Sequence, residues 1–120
     1  MRRTLTVATT LLVAALSLTA CSDDTSSGSS GGGSGTTVHI TIKDGKVTPD
    51  GDRVQTKVGE PVTLEIDADV SGEIHVHSSP EQQIEFAKGT STKKVTIEKP
   101  GIVDVEDHAL EQVIVQLQVS

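Results

Sequence analysis

Hydrophobic and polar residues alternate along most of the chain after residue 36. The first run, 38–42, places Val38, Ile40 and Ile42 at every second position, with polar residues between them. A period of two is typical of a β-strand with one face buried. The same alternation recurs in later segments, at 62–66, 74–76, 95–97, 103–105 and 113–119. No segment shows a sustained helical period, so the pattern predicts an all-β domain.

Turn-forming residues separate these runs. Asp44-Gly45, Gly59-Glu60-Pro61 and Pro100-Gly101 are examples of the glycine and proline clusters that end strands. About seven or eight short strands at this spacing predict a Greek-key antiparallel β-sandwich over residues 36–120. Phe86 is the only aromatic residue, so the core should consist mainly of branched aliphatic side chains and its stability should be modest.

The first twenty residues, 1–20, have the features of a secretory signal peptide. Arg2 and Arg3 give a positive start, and a short uncharged apolar stretch follows. Leu18-Thr19-Ala20-Cys21 closely resembles a bacterial lipobox, which implies cleavage before Cys21 and a lipid on its sulfur. The resemblance therefore predicts a membrane-bound lipoprotein, held at the extracytoplasmic face of a cell membrane or outer membrane.

The segment 21–35 contains this single cysteine and then the sequence SDDTSSGSSGGGSG. Glycine and serine dominate, and nothing apolar is available for burial, so a flexible linker is expected. The predicted domain organisation is a signal peptide at 1–20, a lipidated cysteine with its linker at 21–35, and one folded domain at 36–120. Without a second cysteine, the domain must fold without disulfides.

The charge of the chain excludes some classes of partner. The formal net charge is -7, and removing Arg2 and Arg3 with the signal peptide leaves eight basic residues against seventeen acidic ones. An acidic surface with one aromatic residue lacks the basic footprint that nucleic acid requires. It attracts cations in a diffuse way instead.

Two of the four histidines, His75 and His77, lie two residues apart in the alternating segment 72–77. Residues two apart share a face of a strand. Because the intervening apolar residues should face the core, both imidazoles should point outward, together with Glu73. A row of nitrogen and oxygen donors is therefore predicted on the outer face of this strand.

A later segment, 101–108, has the same arrangement and ends at His108. If the two strands are neighbours, facing side chains lie about 5 Å apart, and imidazoles and carboxylates from both could bind one ion. We predict His75, His77 and His108 as metal ligands, with Glu106 as an oxygen ligand or as a hydrogen-bond partner of a ligand.

Four segments resemble cupredoxin-like domains: GEPVTL at 59–64, HVH at 75–77, KPGIVDVEDH at 99–108 and the closing strand at 113–119. Together the resemblance covers residues 36–120. It implies a cupredoxin-like sandwich of the kind found on bacterial lipoproteins and beside iron- and copper-handling proteins. A metal-handling protein is thus an expected but unidentified partner.

The chain departs from the blue-copper members of that family in its ligands. Blue-copper sites use a cysteine thiolate, two imidazoles and usually a weak axial methionine. Met1 is the only methionine and Cys21 the only cysteine, and both precede the predicted domain. Asp107 or one of its neighbours stands where those proteins place the cysteine. A blue electron carrier is therefore excluded by ligand chemistry.

The predicted function is binding of a copper ion (Cu²⁺) at a non-blue site, for buffering or delivery outside the cell, without enzymatic activity. Imidazole-rich sites bind Cu(II) most tightly among the divalent first-row ions. Two other interpretations remain open: a metal-free adaptor at the cell surface, or a surface whose clustered histidines respond to pH. His39, on a different strand, is expected to be an ordinary surface residue.

Two enzymatic interpretations are rejected because the chain lacks features that those enzymes need. His75-Val76-His77 also resembles the copper motif of copper–zinc superoxide dismutases, but the chain has neither a disulfide pair nor room for a zinc loop. Ser78 and Ser79 could suggest a hydrolase, yet no nucleophile elbow or glycine-rich oxyanion loop accompanies them. A turn before Pro80 explains these two serines.

Overall fold

The computed structural model describes residues 35–120, which form nine β-strands. The predicted signal peptide, Cys21 and nearly all of the linker lie outside the described residues. Between residues 35 and 120 there is no helix that could cross a membrane. The strands are β1 (Thr36–Lys43), β2 (Lys46–Thr48), β3 (Asp52–Thr56), β4 (Pro61–Ala68), β5 (Gly72–Val76), β6 (Gln82–Phe86), β7 (Gly89–Thr96), β8 (Gly101–Asp107) and β9 (Gln112–Val119).

The strands build two sheets, with the orders β2-β1-β4-β7 and β3-β9-β8-β5-β6. The predicted all-β sandwich is confirmed. Each sheet is mixed, however, because β1 pairs with β4 in parallel and β3 pairs with β9 in parallel. Alternation specifies which side chains of a strand are buried, but it does not specify the direction of the neighbouring strand. The remaining pairs are antiparallel, as predicted.

The core lies between the sheets and is almost entirely aliphatic. Val38, Ile40 and Ile42 of β1 are at most 4% exposed, as their alternation predicts. Phe86 is the one aromatic ring in this core. The other buried members come from β2, β4, β5, β7, β8 and β9 and from the loop after β7: Val47, Val62, Leu64, Ile66, Ala68, Ile74, Val76, Val95, Ile97, Val103, Val105, Ile114, Val115, Leu117 and Val119.

Phe86 fixes the start of β5 through a close contact with Gly72. The two residues are paired across β5 and β6. A Cβ atom added to Gly72 would lie 2.6 Å from Cζ of Phe86, closer than packed carbon atoms approach. The absence of a side chain at residue 72 therefore lets the only aromatic ring of the core settle over the backbone that leads into Glu73.

This contact makes Gly72→Ala a test of the packing. Because the added methyl group overlaps the ring, we expect the free energy of unfolding to fall by about 1–3 kcal/mol. In a Phe86→Leu background the same substitution should cost less, since the obstructing ring is gone. Urea denaturation followed by far-ultraviolet circular dichroism measures both effects in a chain without Trp or Tyr.

The matched control is Ser71→Ala, at the exposed neighbouring position. It should change the unfolding free energy by less than about 0.5 kcal/mol. An equal cost of Gly72→Ala in the unaltered chain and in the Phe86→Leu background would contradict the assignment of the cost to the ring.

Candidate metal centre

The two histidine-bearing strands, β5 and β8, are antiparallel neighbours in the five-stranded sheet. His75 lies directly opposite Glu106, and Ile74 lies opposite Asp107. Ile74 and Asp107 face the core, where both are at most 3% exposed. His75 and Glu106, the next pair along the two strands, therefore share the outer face of the sheet. A common metal site requires this arrangement.

His75 is held between two carboxylates. Its Nε2 lies 2.7 Å from Oε1 of Glu73, and its Nδ1 lies 3.4 Å from Oε1 of Glu81. The side chain of His75 is only 15% exposed, so its ring has little freedom to turn. A carboxylate oxygen accepts, so the 2.7 Å contact makes Nε2–H the donor to Glu73, and Nε2 can coordinate a metal only when the ion takes the place of this proton.

His108 reaches the same place from the turn after β8. Its backbone N–H donates to the carbonyl oxygen of Glu73 at 3.0 Å. Its ring stacks on that of His75, with 4.5 Å between the ring centroids and 24° between the ring planes. The turn itself is secured by Asp107, whose Oδ1 accepts the N–H of Leu110 at 2.9 Å.

Together, Glu73, His75 and His108 form a candidate metal centre. One donor atom from each of them lies within 4.8 Å of the other two. Metal–ligand distances near 2.0–2.2 Å place ligand atoms about 3–3.6 Å apart around a tetrahedral ion. Because the two rings are stacked rather than aimed at one point, binding an ion requires a modest rotation of the exposed His108 ring.

His77 and Glu106 form a separate pair beside this centre. Nε2 of His77 lies 3.0 Å from Oε2 of Glu106. The ring of His77 stands 6.2 Å from that of His75, at 68° to it. The predicted ligand set of His75, His77, His108 and Glu106 thus divides into two adjacent groups, and its role in coordination stays a prediction.

Glu73 is the donor that the predicted ligand set left out. The sequence does place it on the outer row with His75, two residues away. What the sequence does not show is that Glu73 turns along its own strand towards His75, whereas Glu106 turns towards His77. Strand alternation gives the face of a side chain but not its rotamer, so the two carboxylates cannot be told apart by spacing.

His39 belongs to neither group. It lies on β1, in the other sheet, with its Nδ1 2.9 Å from Oε2 of Glu65 and its side chain 78% exposed. This placement agrees with the expectation of an ordinary surface residue.

Asp107 is one of the residues that the resemblance places where blue-copper proteins have a thiolate. It is 3% exposed, and residues 35–120 contain no cysteine or methionine. All strong donors of the described domain are therefore nitrogen and oxygen atoms, which suit a type-2 rather than a blue copper centre.

No family model and no curated protein matches the chain. Among solved structures, a single-residue mutant of amicyanin in its Cu(I) form aligns with a TM-score of 0.52 at 14% identity, covering 70% of this chain and 82% of amicyanin. A purple cupredoxin from Nitrosopumilus maritimus aligns with a TM-score of 0.51 at 18% identity, covering 71% and 99%. These similarities show a cupredoxin-like fold. At such low identity they show the fold alone.

Proposed function

We propose that the protein is a lipid-anchored extracytoplasmic protein that binds Cu(II) at Glu73, His75 and His108, for buffering or delivery of copper. The observation that carries this proposal is the grouping of two imidazoles and one carboxylate within 4.8 Å. Two imidazole nitrogens with a carboxylate oxygen form a borderline donor set, for which Cu(II) has the highest affinity among divalent first-row ions.

The surroundings of the centre favour cation binding. Glu81 adds a carboxylate beside Nδ1 of His75, and the neighbouring pair of His77 and Glu106 adds a further carboxylate on the same face. The hydrogen bond of Glu106 goes to His77, which is not one of the three proposed ligands. These carboxylates therefore favour a cation through their charge, and a direct role of Glu106 at the ion stays a prediction.

Exposure favours exchange of the ion over permanent retention. Glu73 and His75 are partly buried, whereas His108 is exposed. An exposed ligand on a turn can release or pass on an ion without unfolding of the sheet. Buffering or delivery, rather than catalysis or electron transfer, is the role that such a centre serves best.

The position of the centre suits an anchored protein. Thr36, where the linker joins the domain, pairs with Val62 at one end of the parallel pair β1 and β4. Ile42 lies at the other end of this pair, near Gly72 and Ala109. A flexible tether at Thr36 would leave this end of the domain, with the turn that carries His108, accessible to a partner.

Copper titration tests the proposed centre. The chain is prepared with Cys21→Ser, which removes its only thiol, and is titrated with Cu(II) under calorimetry and electron paramagnetic resonance. We expect about one ion per chain with a type-2 spectrum and nitrogen hyperfine coupling. Binding should weaken below about pH 6, because an imidazole must lose its proton to coordinate.

Alanine variants assign the ligands. His75→Ala and His108→Ala should each lower the affinity by about 100-fold or more, beyond the effect of an indirect partner. His77→Ala leaves the three ligands in place and should lower it by less than about tenfold. His39→Ala, on the other sheet, is the matched control and should leave affinity unchanged. Equal stoichiometric binding by the His75→Ala and His108→Ala double variant would refute the centre and favour the metal-free adaptor.

Acylation at Cys21 is tested separately in a bacterial host. The unaltered chain should incorporate labelled palmitate and partition into the detergent phase. Cys21→Ser should do neither and should appear in the extracytoplasmic soluble fraction, whereas Ser22→Ala should behave as the unaltered chain. Membrane retention of Cys21→Ser would show that another segment holds the protein in place.

A further inference from the structure

A second concave site lies at the end of the sandwich where β1 meets β2. It has a volume of about 420 Å³, within the range of sites that bind small organic molecules. Its walls come from strand ends and from the turns after β1, β4 and β8. The apolar lining residues include Ile42, Val70, Phe86, Ala109 and Leu110.

Two of these apolar residues are unusually exposed. Val70 is 54% exposed and Leu110 is 37% exposed. Both line the cavity from loops, on either side of it. Together with the buried ring of Phe86 they give the cavity a hydrophobic surface that would be covered by the apolar body of a ligand.

Asp107 also lines this cavity, although it is 3% exposed. Its Oδ1 accepts one hydrogen bond, from the N–H of Leu110. No other hydrogen bond to this carboxylate is made by residues 35–120, and its Oδ2 is not among the fully enclosed unpaired polar atoms, so Oδ2 is open to the cavity. A ligand that brings a positively charged donor into the cavity would give Oδ2 a charge-assisted hydrogen bond.

The surrounding charges reinforce the preference for a cation. Asp44 and Asp69 line the cavity as well, and Oδ2 of Asp69 accepts the backbone N–H of Asp44 at 2.8 Å. The nearby cation Lys43 donates to Asp67 instead. This hydrogen bond, with the charges of Asp67 and then of Asp69 and Asp44, raises the pKa of Lys43. No lysine or arginine of the described domain lines the cavity.

We propose that this cavity binds a small organic cation, with its apolar body against Val70, Phe86 and Leu110 and an ammonium group on Asp107. An anion would meet three carboxylates and no basic side chain. A bare metal ion is a poor occupant, because the walls are mainly apolar and hard cations need six or more oxygen ligands. Asp44, Asp69 and Asp107 form no metal-ligand group among residues 35–120.

Three probes of similar size and different charge test this proposal: 2-phenylethylammonium, 2-phenylethanol and phenylacetate. Each is titrated into the Cys21→Ser chain, and backbone amide resonances are followed by NMR. The Leu110 amide, which donates to Asp107, and the Val70 amide should shift. We expect the cation to bind about tenfold or more tightly than the neutral alcohol, because its hydrogen bond is charge-assisted, and the anion to bind most weakly.

Asp107→Asn removes the charge while its side-chain oxygen can still accept the N–H of Leu110. The preference for the cation over the alcohol should fall to the smaller part that Asp44 and Asp69 still supply. Asp50→Asn, an exposed residue that does not line the cavity, is the matched control and should keep the preference. Equal binding of the three probes, or an unchanged preference in Asp107→Asn, would overturn the proposal.

A second pair of variants leaves Asp107 and its turn intact. Val70→Lys places a tethered ammonium at an exposed position beside the cavity and should weaken binding of the cationic probe by competition. Val70→Glu should not weaken it. An absence of any shift at Val70 or Leu110 with all three probes would show that the cavity is no small-molecule site. The probes are titrated without copper, and copper binding should be the same in Val70→Lys as in its parent, so failure of one site is distinguishable from failure of the other.

Discussion

The antiparallel pairing of β5 with β8 is the interaction on which the rest of the site depends. Its register puts His75 opposite Glu106 and sends Ile74 and Asp107 inward. A slip of one residue would exchange the two faces, burying imidazoles and exposing core side chains. Because that exchange would lose apolar burial, it is unfavourable, and the observed register is fixed. The same pairing brings the turn with His108 beside the start of β5.

The sequence predicted the parts of this arrangement that depend on burial. Alternation located six of the nine strands but not β2, β3 or β6, so the predicted seven or eight strands were too few. It also assigned the outward faces of His75 and His108. Alternation could not predict the parallel pairs. Strands that pair in parallel are distant in the sequence and are connected through the opposite sheet, so no local sequence pattern indicates their pairing. Nor could alternation predict that Glu73, rather than Glu106, turns towards His75, because that choice depends on side-chain rotamers.

The fold and the chemistry of the site carry different kinds of information. A cupredoxin-like sandwich accommodates many donor sets, so the similarity to amicyanin at 14% identity says nothing about this chain's ligands. The residues present say more. The described residues include no thiol, and their grouped histidines lie on the outer face of the sheet. The candidate metal centre therefore lies at the surface of the domain.

The contact between Phe86 and Gly72 joins two regions that otherwise look independent. The ring lines the apolar cavity, and the backbone beneath it leads directly into the carboxylate of the candidate metal centre. A guest that shifted the ring would act on the backbone that precedes Glu73. Binding at the two places would then be linked, and each occupant would change the affinity for the other by the same factor.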